Sequence, residues 1–480
     1  MSVEYFSIEP LNRSTNSQYS YDSGTPLIQF QIGDVEKYLL GQSVRLSFDF
    51  KIKKSGLIDT TSGTQATISQ SCGLQSIIQQ LDLSSFKTNT MLESCRNYNR
   101  CMSTLIGSGF NDELELCDNG TNQGYAQNQQ YVSQSVGTMG TNGNKTLENY
   151  TIPLYSGLLQ GTEVYLGQSG IKGMVISINL APSSDVLQRL TDGDTSLYEY
   201  SLSNVRLIGK YYNPTDEEFR AKRIKSRFMD SYSDMVMREN GKSPSVDELN
   251  TAWSELSNMN LPNAPPYSYY SLSGYVESLN SSLSTHNMNL GLSKVRSVFM
   301  NFIPSSFINN LDEDGMSGRN IVDSGNNIMP IVNYKVSRNG VIFPNRFDIT
   351  SNAENSMNAD QTTTNDRRAS MYQSLINAIK PMYENHYSSG SYKNAIDSQL
   401  QFYGGSTSDK LVSKTAGLGV NFSNLSDNGV DFSFSPLQFE IQTRLKNNSP
   451  ATSPVHHTIY VFAINQNTLV FDNNSVRVIT

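Results

Sequence analysis

Asn213-Pro214-Thr215-Asp216-Glu217-Glu218-Phe219-Arg220-Ala221-Lys222-Arg223-Ile224 opens a stretch, closing at Pro266, unlike anything else in the chain. Charges crowd together here and apolar residues fall at helical spacing. Thr215, with Glu218 three residues on, has the form of a capping box. Ala221, Ile224, Phe228, Tyr232 and Met235 then recur every three or four residues, as one face of a helix requires. A second start signal, Ser245-Val246-Asp247-Glu248, leads into Leu249, Trp253 and Leu256. Pro262, Pro265 and Pro266 end the pattern, because proline continues a helix badly. On either side lie short strand-like pieces punctuated by Gly, Asn, Ser and Thr. Residues 214–266 therefore read as a helical connector between two β units.

Length and composition agree with two units. A chain of 480 residues exceeds what one hydrophobic core usually holds. Charged residues make up 17% of it, and Asn, Ser, Thr, Gln and Gly carry most of the polarity, a balance suited to β proteins with long loops. The net charge of −8 argues against wrapping nucleic acid with the whole surface, though one local basic face remains open. Cys72, Cys95, Cys101 and Cys117 fit neither a paired zinc motif nor a disulfide framework, so free thiols are expected. Met1 to Pro10 includes Glu4 and Glu9 and no apolar run, unlike a secretory signal. No apolar run approaches a membrane span, which points to a soluble protein made without an export tag.

In the first half, residues 1–24 read as an irregular N-terminal arm, and residues 25–213 as one sandwich. Pro26–Ile32 is a short strand. Val44, Leu46, Phe48, Phe50 and Ile52 alternate with Arg45, Ser47, Asp49 and Lys51, the cleanest period of two in the chain. Leu74–Leu83 returns to the sheet, and Met91–Ile106 is expected as an amphipathic helix. Gly107–Leu147 reads as a long exposed loop. Strands resume at Tyr150–Leu154, Met174–Leu180 and Tyr198–Tyr211.

After the connector the same order of events returns over residues 267–480. Tyr267–Leu279 and Val295–Ile303 are strands, with an antiparallel partner expected around Met288–Leu292. A polar stretch, Asn309–Asp366, holds little that could fill a core. Met371, Leu375, Ile376 and Ile379 mark a second helix. Gln399–Tyr403, Leu411–Phe422 and Val430–Phe434 supply short apolar pieces, and Leu437–Ile441 is a further strand. Tyr460–Ile464 follows, and Leu469–Phe471 with Val476 and Val478 reads as a closing hairpin. The two halves share a layout without residue-level identity.

Catalytic machinery is not visible. The histidines are His286, His386, His456 and His457, and the adjacent pair reads as a solvated turn whose side chains point apart. Asp312-Glu313-Asp314-Gly315 looks like part of a calcium loop but lacks the ligand spacing and closing Glu, so it is expected as a solvated acidic turn. No metal or cofactor is expected. Arg220, Lys222, Arg223, Lys225 and Arg227 form the densest positive run. They read first as a solvated helix face balanced by Asp216, Glu217 and Glu218. The alternative is an inward basic face near packaged nucleic acid or anionic lipid.

Two tandem sandwich-sized units, each with a helix in one loop, resemble the double jelly-roll major capsid proteins of DNA viruses, in particular the compact polinton-like virus and virophage type. Leu74-Gln75-Ser76-Ile77-Ile78-Gln79-Gln80-Leu81-Asp82-Leu83 and Leu92–Asn99 look like the strand and helix of that family's first roll. Tyr200–Leu207 is similar to its last first-roll strand, and Thr458–Phe462 with Val476–Val478 to its final hairpin. The resemblance implies an all-β fold: two tandem eight-stranded jelly-roll sandwiches, a double jelly roll, with short helices in loops and a helical connector. It further implies a non-enzymatic subunit of the virion that assembles as homotrimeric, pseudo-hexagonal capsomers of an icosahedral shell. Its partners would be neighbouring capsomers, penton and minor capsid proteins, with weak contact to the genome or an internal membrane. In that setting the connector is the seam between rolls, and Phe228, Tyr232 and Trp253 are expected to pack between them. A carbohydrate-binding or receptor-binding fibre protein is the alternative, and a β-sandwich hydrolase a further one.

Overall fold

The structure, a computed structural model, describes residues 2–12, 18–33, 37–54, 66–69, 72–107, 144–161, 163–166, 172–189, 195, 197–213, 232–233, 235–237, 241–258, 267–316, 331–343, 374–380, 417–422, 429–443, 456–472 and 475–480. In the first half the strands are β1 (Ser2–Ile8), β2 (Gln18–Tyr19), β3 (Leu27–Ile32), β4 (Tyr38–Lys54), β5 (Ala66–Ile68), β6 (Ile78–Ser85), β7 (Met91–Arg96), β8 (Asn144–Pro153), β9 (Glu163–Tyr165), β10 (Met174–Leu180), β11 (Leu187–Arg189) and β12 (Tyr198–Asn213). The second half has β13 (Tyr267–Leu279), β14 (Leu283–Met288), β15 (Val295–Pro304), β16 (Ile331–Arg338), β17 (Val341–Phe343), β18 (Gly417–Asn421), β19 (Leu437–Thr443), β20 (His457–Asp472) and β21 (Ser475–Ile479). The helices are α1 (Tyr98–Gly107), α2 (Gly157–Gly161), α3 (Ser183–Val186), α4 (Val246–Asn258) and α5 (374–380).

Both halves are wound the same way. One sheet of the first half runs β1-β12-β4-β8 and the other β3-β10-β6-β7; in the second half they run β13-β20-β15-β18 and β14-β19-β16-β17. Leaving aside the short β2, β5, β9 and β11 and the C-terminal β21, each half contributes eight strands. Numbered within its half, one sheet is first-eighth-third-sixth and the other second-seventh-fourth-fifth, on both occasions. This is the strand order of a jelly roll. A helix follows the fifth strand in each roll, α1 after β7 and α5 after β17, so the architectural repeat extends to the loops.

Alternation builds the interiors. β10 and β19 bury every second residue along their whole length. In β4, Val44, Leu46, Phe48, Phe50 and Ile52 are at most 1% exposed. Phe50 stacks on Tyr200 of β12, and in the second roll Phe422 meets Phe343 edge-on and Phe432 at a tilt. Full burial of each such side chain is worth about 1.5–3 kcal/mol, and cohesion within each roll comes from this term.

Several elements depart from the expectations. The N-terminal arm is not irregular throughout: Ser2–Ile8 is the first strand of the first sheet, paired with β12 from Ser2↔Asn213 to Ile8↔Leu207. Met91–Ile106 is not one helix. Met91–Arg96 pairs with β6, Asn97 takes a left-handed φ of 55°, and only then does α1 begin. A helical stripe fits the strand part because both of its faces contribute buried residues, Leu92 and Glu93 among them. The expected partner strand at Met288–Leu292 lies earlier, at Leu283–Met288, and joins β19 in the other sheet. Asn309–Asp366 does feed a core, through Tyr334 and Val336 of β16. The pieces expected at Tyr460–Ile464 and Leu469–Phe471 are one continuous strand, β20, closed by β21 as a hairpin.

Candidate functional site: the seam between the two rolls

From Ile459 to Ile464 β20 is apolar on both faces, and the two faces have different partners. Ile459, Val461 and Ala463 belong to the interior of the second roll. Tyr460, Phe462 and Ile464 instead join a cluster continuous with the core of the first roll. β15 divides likewise, with Val298, Met300 and Phe302 inward and Phe299 and Ile303 outward. The outer face of the sheet β13-β20-β15-β18 is thus sealed against the first roll and α5. Gly417 and Gly419 of β18 make room for α5, since a Cβ on Gly419 would lie 2.6 Å from Ala378 Cβ. Ser297 donates to the Ala378 carbonyl, and Ser374 Oγ donates to the Gly419 carbonyl at 2.6 Å.

At one end of the seam β13 crosses β7. Glu93, 3% exposed, accepts the backbone N–H of Gly157 at 3.0 Å and of Leu158 at 2.9 Å, both in α2, and of Leu272 in β13 at 3.2 Å. One carboxylate therefore ties a strand, a helix start and the other roll together. Burial pushes its carboxyl above the usual range, against the pull of those N–H groups. Beside it the Tyr269 hydroxyl donates to the Leu92 carbonyl. Gly274 lies against Arg96, where a Cβ would sit 2.2 Å from the carbonyl oxygen. Only glycine fits so close an approach of two backbones.

At the other end the lock is ionic. Arg100 of α1 and Asp185 of α3 pair at 2.8 Å with side chains 3% and 6% exposed. The guanidinium also lies over the Tyr460 ring, 5.4 Å from its centroid. Burial works against the charge of Arg100, but Asp185 and Tyr460 outweigh it and raise its pKa. Asp185 accepts Asn309 N–H at 2.9 Å from the second roll. Next to it, Arg189 donates its N–H to the Leu311 carbonyl at 2.6 Å and pairs with Asp312 at 2.8 Å. Asp314, 4% exposed, accepts the Ser69 hydroxyl at 2.8 Å.

The acidic turn at Asp312–Gly315 is therefore solvated only in part: Asp312 is exposed, while Asp314 and Gly315 are buried. It is a plug from the second roll seated on the first. His457, too, is 1% exposed at the start of β20, while His456 faces solvent. Cys72, Cys95 and Cys101 are buried free thiols. No group of three or more metal-binding side chains occurs among the described residues. Nor is any helix among them long and apolar enough to cross a membrane.

No protein-family model matches the sequence, and no curated protein matches it. The fold, in contrast, matches solved structures from end to end. The Sputnik virophage structure aligns over 100% of this chain and 88% of its own at 12% identity, with a TM-score of 0.54. The PBCV-1 virus capsid aligns over 100% and 96% at 11% identity and a TM-score of 0.50. The Faustovirus major capsid protein aligns over 98% and 90% at 8% identity and a TM-score of 0.50. The chain has the double jelly-roll fold of viral capsid proteins.

At such identities the likeness is one of strand order and not of side chains, so the residues of this double jelly roll stand on their own geometry. Arg220, Lys222, Arg223, Lys225, Arg227 and Phe228 lie outside the described residues. Tyr232 is half-buried in a short helical piece, and Trp253 belongs to α4, with its side chain outside the description. The seam described above is built by other residues. One signal in the sequence could have found it: the run Ile459-Tyr460-Val461-Phe462-Ala463-Ile464 has no polar face.

Proposed function

We propose that this protein is a major capsid subunit, a structural and non-enzymatic building block of a virus shell. The observation that carries this reading is the repetition of one eight-strand order on both sides of a buried, polar-locked seam. A rigid pair of similar rolls is one third of a hexagonal tile. Three such chains around a threefold axis present six near-equivalent sandwiches, and their outline packs without gaps. The whole-chain likeness in fold to the PBCV-1 virus capsid and the Faustovirus major capsid protein supports the same reading. Fold alone does not assign function, and the fused, locked pair is what adds weight here.

In this reading the domains are an N-terminal arm at 1–24, rolls at 25–213 and 267–480, and the connector at 214–266. The arm contributes the first strand of the first roll. The basic run Arg220–Arg227 faces inward, towards packaged genome or membrane, and the partners are like capsomers with penton and minor capsid proteins. Light scattering after size-exclusion chromatography tests the assembly: the purified protein should have the mass of three chains, and electron microscopy should resolve particles of hexagonal outline. A monomer at high concentration that binds glycans would overturn the reading in favour of a carbohydrate-binding protein.

A further inference from the structure

The seam within the chain is head-to-tail, because its two sides are not the same part of the two rolls. The first roll contributes its fifth strand, β7, and the neighbouring helices α1 and α2. The second contributes its first strand, β13, and the outer face of the sheet that β13 borders. Each roll thus has two distinct sides, one built around its fifth strand and one around its first. The seam uses the fifth-strand side of the first roll and the first-strand side of the second. Left over are the first-strand side of the first roll, bordered by β1, and the fifth-strand side of the second, bordered by β17.

The two leftover sides carry exposed apolar side chains on those very strands. Along β1, Phe6 and Ile8 pack on the core of the first roll, while Val3 and Tyr5 lie on the opposite face. In β17, Val341 and Ile342 fall on opposite faces of an edge strand. All four are between 42% and 78% exposed. Their counterparts in the seam are buried: Leu92 and Glu93 on the two faces of β7, and Tyr269 and Leu272 of β13. An edge strand is covered on both faces in the first roll because β13 lies across it. β17 has apolar side chains on both faces and stands at the equivalent place in the second roll.

We propose that the seam is repeated between chains: β17 of one copy lies across β1 of the next, as β7 lies across β13 within each. The inference deepens the capsid reading and takes from it the existence of an assembled ring. What covers each leftover side is given by the chain itself, since the same side of the other roll is covered by a roll. A head-to-tail contact between like units propagates until a ring closes. Three chains would then place six rolls in one ring, with seams and inter-chain contacts alternating around it. The two contacts differ in chemistry. β7 brings the buried carboxylate of Glu93 to the seam, whereas β17 offers Val341, Ile342 and Phe343 and no charge.

Cross-linking of the full chain with a flexible bis-maleimide tests this. In a Cys117→Ser background, Tyr5→Cys is combined with Ile342→Cys, and Val3→Cys with Val341→Cys as a second pair should the first misfold. Each thiol adds across one maleimide double bond, its proton passing to the adjacent carbon, so no oxidant is needed. The mass of every variant is read in parallel by light scattering. In a head-to-tail contact no residue meets its own copy, so each single variant should cross-link poorly. The double variants should give covalent dimers and trimers on a denaturing gel at least roughly tenfold faster than either single variant. Single variants that cross-link as fast as the doubles would overturn the repeated seam and leave the capsid reading standing. So would doubles that stay unlinked in a protein with the mass of three chains. A wild-type monomer would overturn both.

Discussion

The sheet β13-β20-β15-β18 has two buried faces with opposite chemistry. Its inner face is apolar through its middle, with Val298, Met300, Phe302, Ile459, Val461 and Ala463 packed into the second roll, and turns polar only towards one end, at Asn465 and Ser271. Its outer face, against the first roll, mixes Phe299, Phe462 and Ile464 with buried Ser297, Asn301 and Tyr460 and meets Glu93, Arg100 and Asp185 across the seam. An apolar face holds through area alone and tolerates sliding. Directed bonds do not, since a slip of one residue leaves buried polar groups unpaired at about 1–3 kcal/mol each. The inner face makes the roll cohere; the outer face fixes the angle between rolls. The proposed role in a shell needs the second property as much as the first.

The largest effects should separate the two faces by whether they can be rescued. Phe302→Ala, at 3% exposure, removes inner packing and should cost about 3–5 kcal/mol in urea unfolding. Asp185→Ala leaves the Arg100 guanidinium buried without its partner and should cost a similar amount, about 3–5 kcal/mol. The double change Arg100→Met with Asp185→Leu should recover most of that loss, because desolvating the pair is itself expensive. If the double variant is as unstable as Asp185→Ala, the ion pair is contributing net stability and the contrast between the faces fails.

Glu93 gives a smaller effect with a distinctive pH signature. Glu93→Ala strands the N–H groups of Gly157, Leu158 and Leu272, and should cost about 1–3 kcal/mol. Burial raises the carboxyl's pKa in the folded protein above its unfolded value. A group shifted that way adds stability at pH below its unfolded value and loses it as pH rises through the folded one. The stability of the wild type relative to Glu93→Gln should therefore fall as pH is raised from acid towards neutral. A difference that grows with pH would mean the N–H groups outweigh burial.

Much of the fold could be read from the sequence where one face of a strand meets water. β4, β10 and β19 alternate because their solvent side stays polar, and the second helix was marked by Leu375, Ile376 and Ile379. Legibility failed where a strand is buried twice or sits at an edge. β20 lost its period because the seam covers the face that would have been polar, and β7 imitated a helix for the same reason. β1 and β14 are edge strands with few buried residues, so their alternation is faint. The polar locks of the seam left no local signal. Gly274 is needed because Arg96 passes close by, and Asp314 is buried because Ser69 meets it, pairings across the whole first roll that no local pattern encodes.

The smallest expected effect concerns α4, outside both faces. Ser245→Ala removes the hydroxyl that accepts Glu248 N–H and loosens the reciprocal cap of α4. Because no described element of the rolls packs extensively on α4, its first turn should open without disturbing them. Hydrogen exchange should accelerate through residues 246–250 while the global unfolding midpoint stays where it was. The seam variants should show the converse, a lowered midpoint with unchanged protection in α4. If Ser245→Ala instead lowers the midpoint, helix and rolls unfold as one unit, and the division between locked seam and separately opening helix would have to be redrawn.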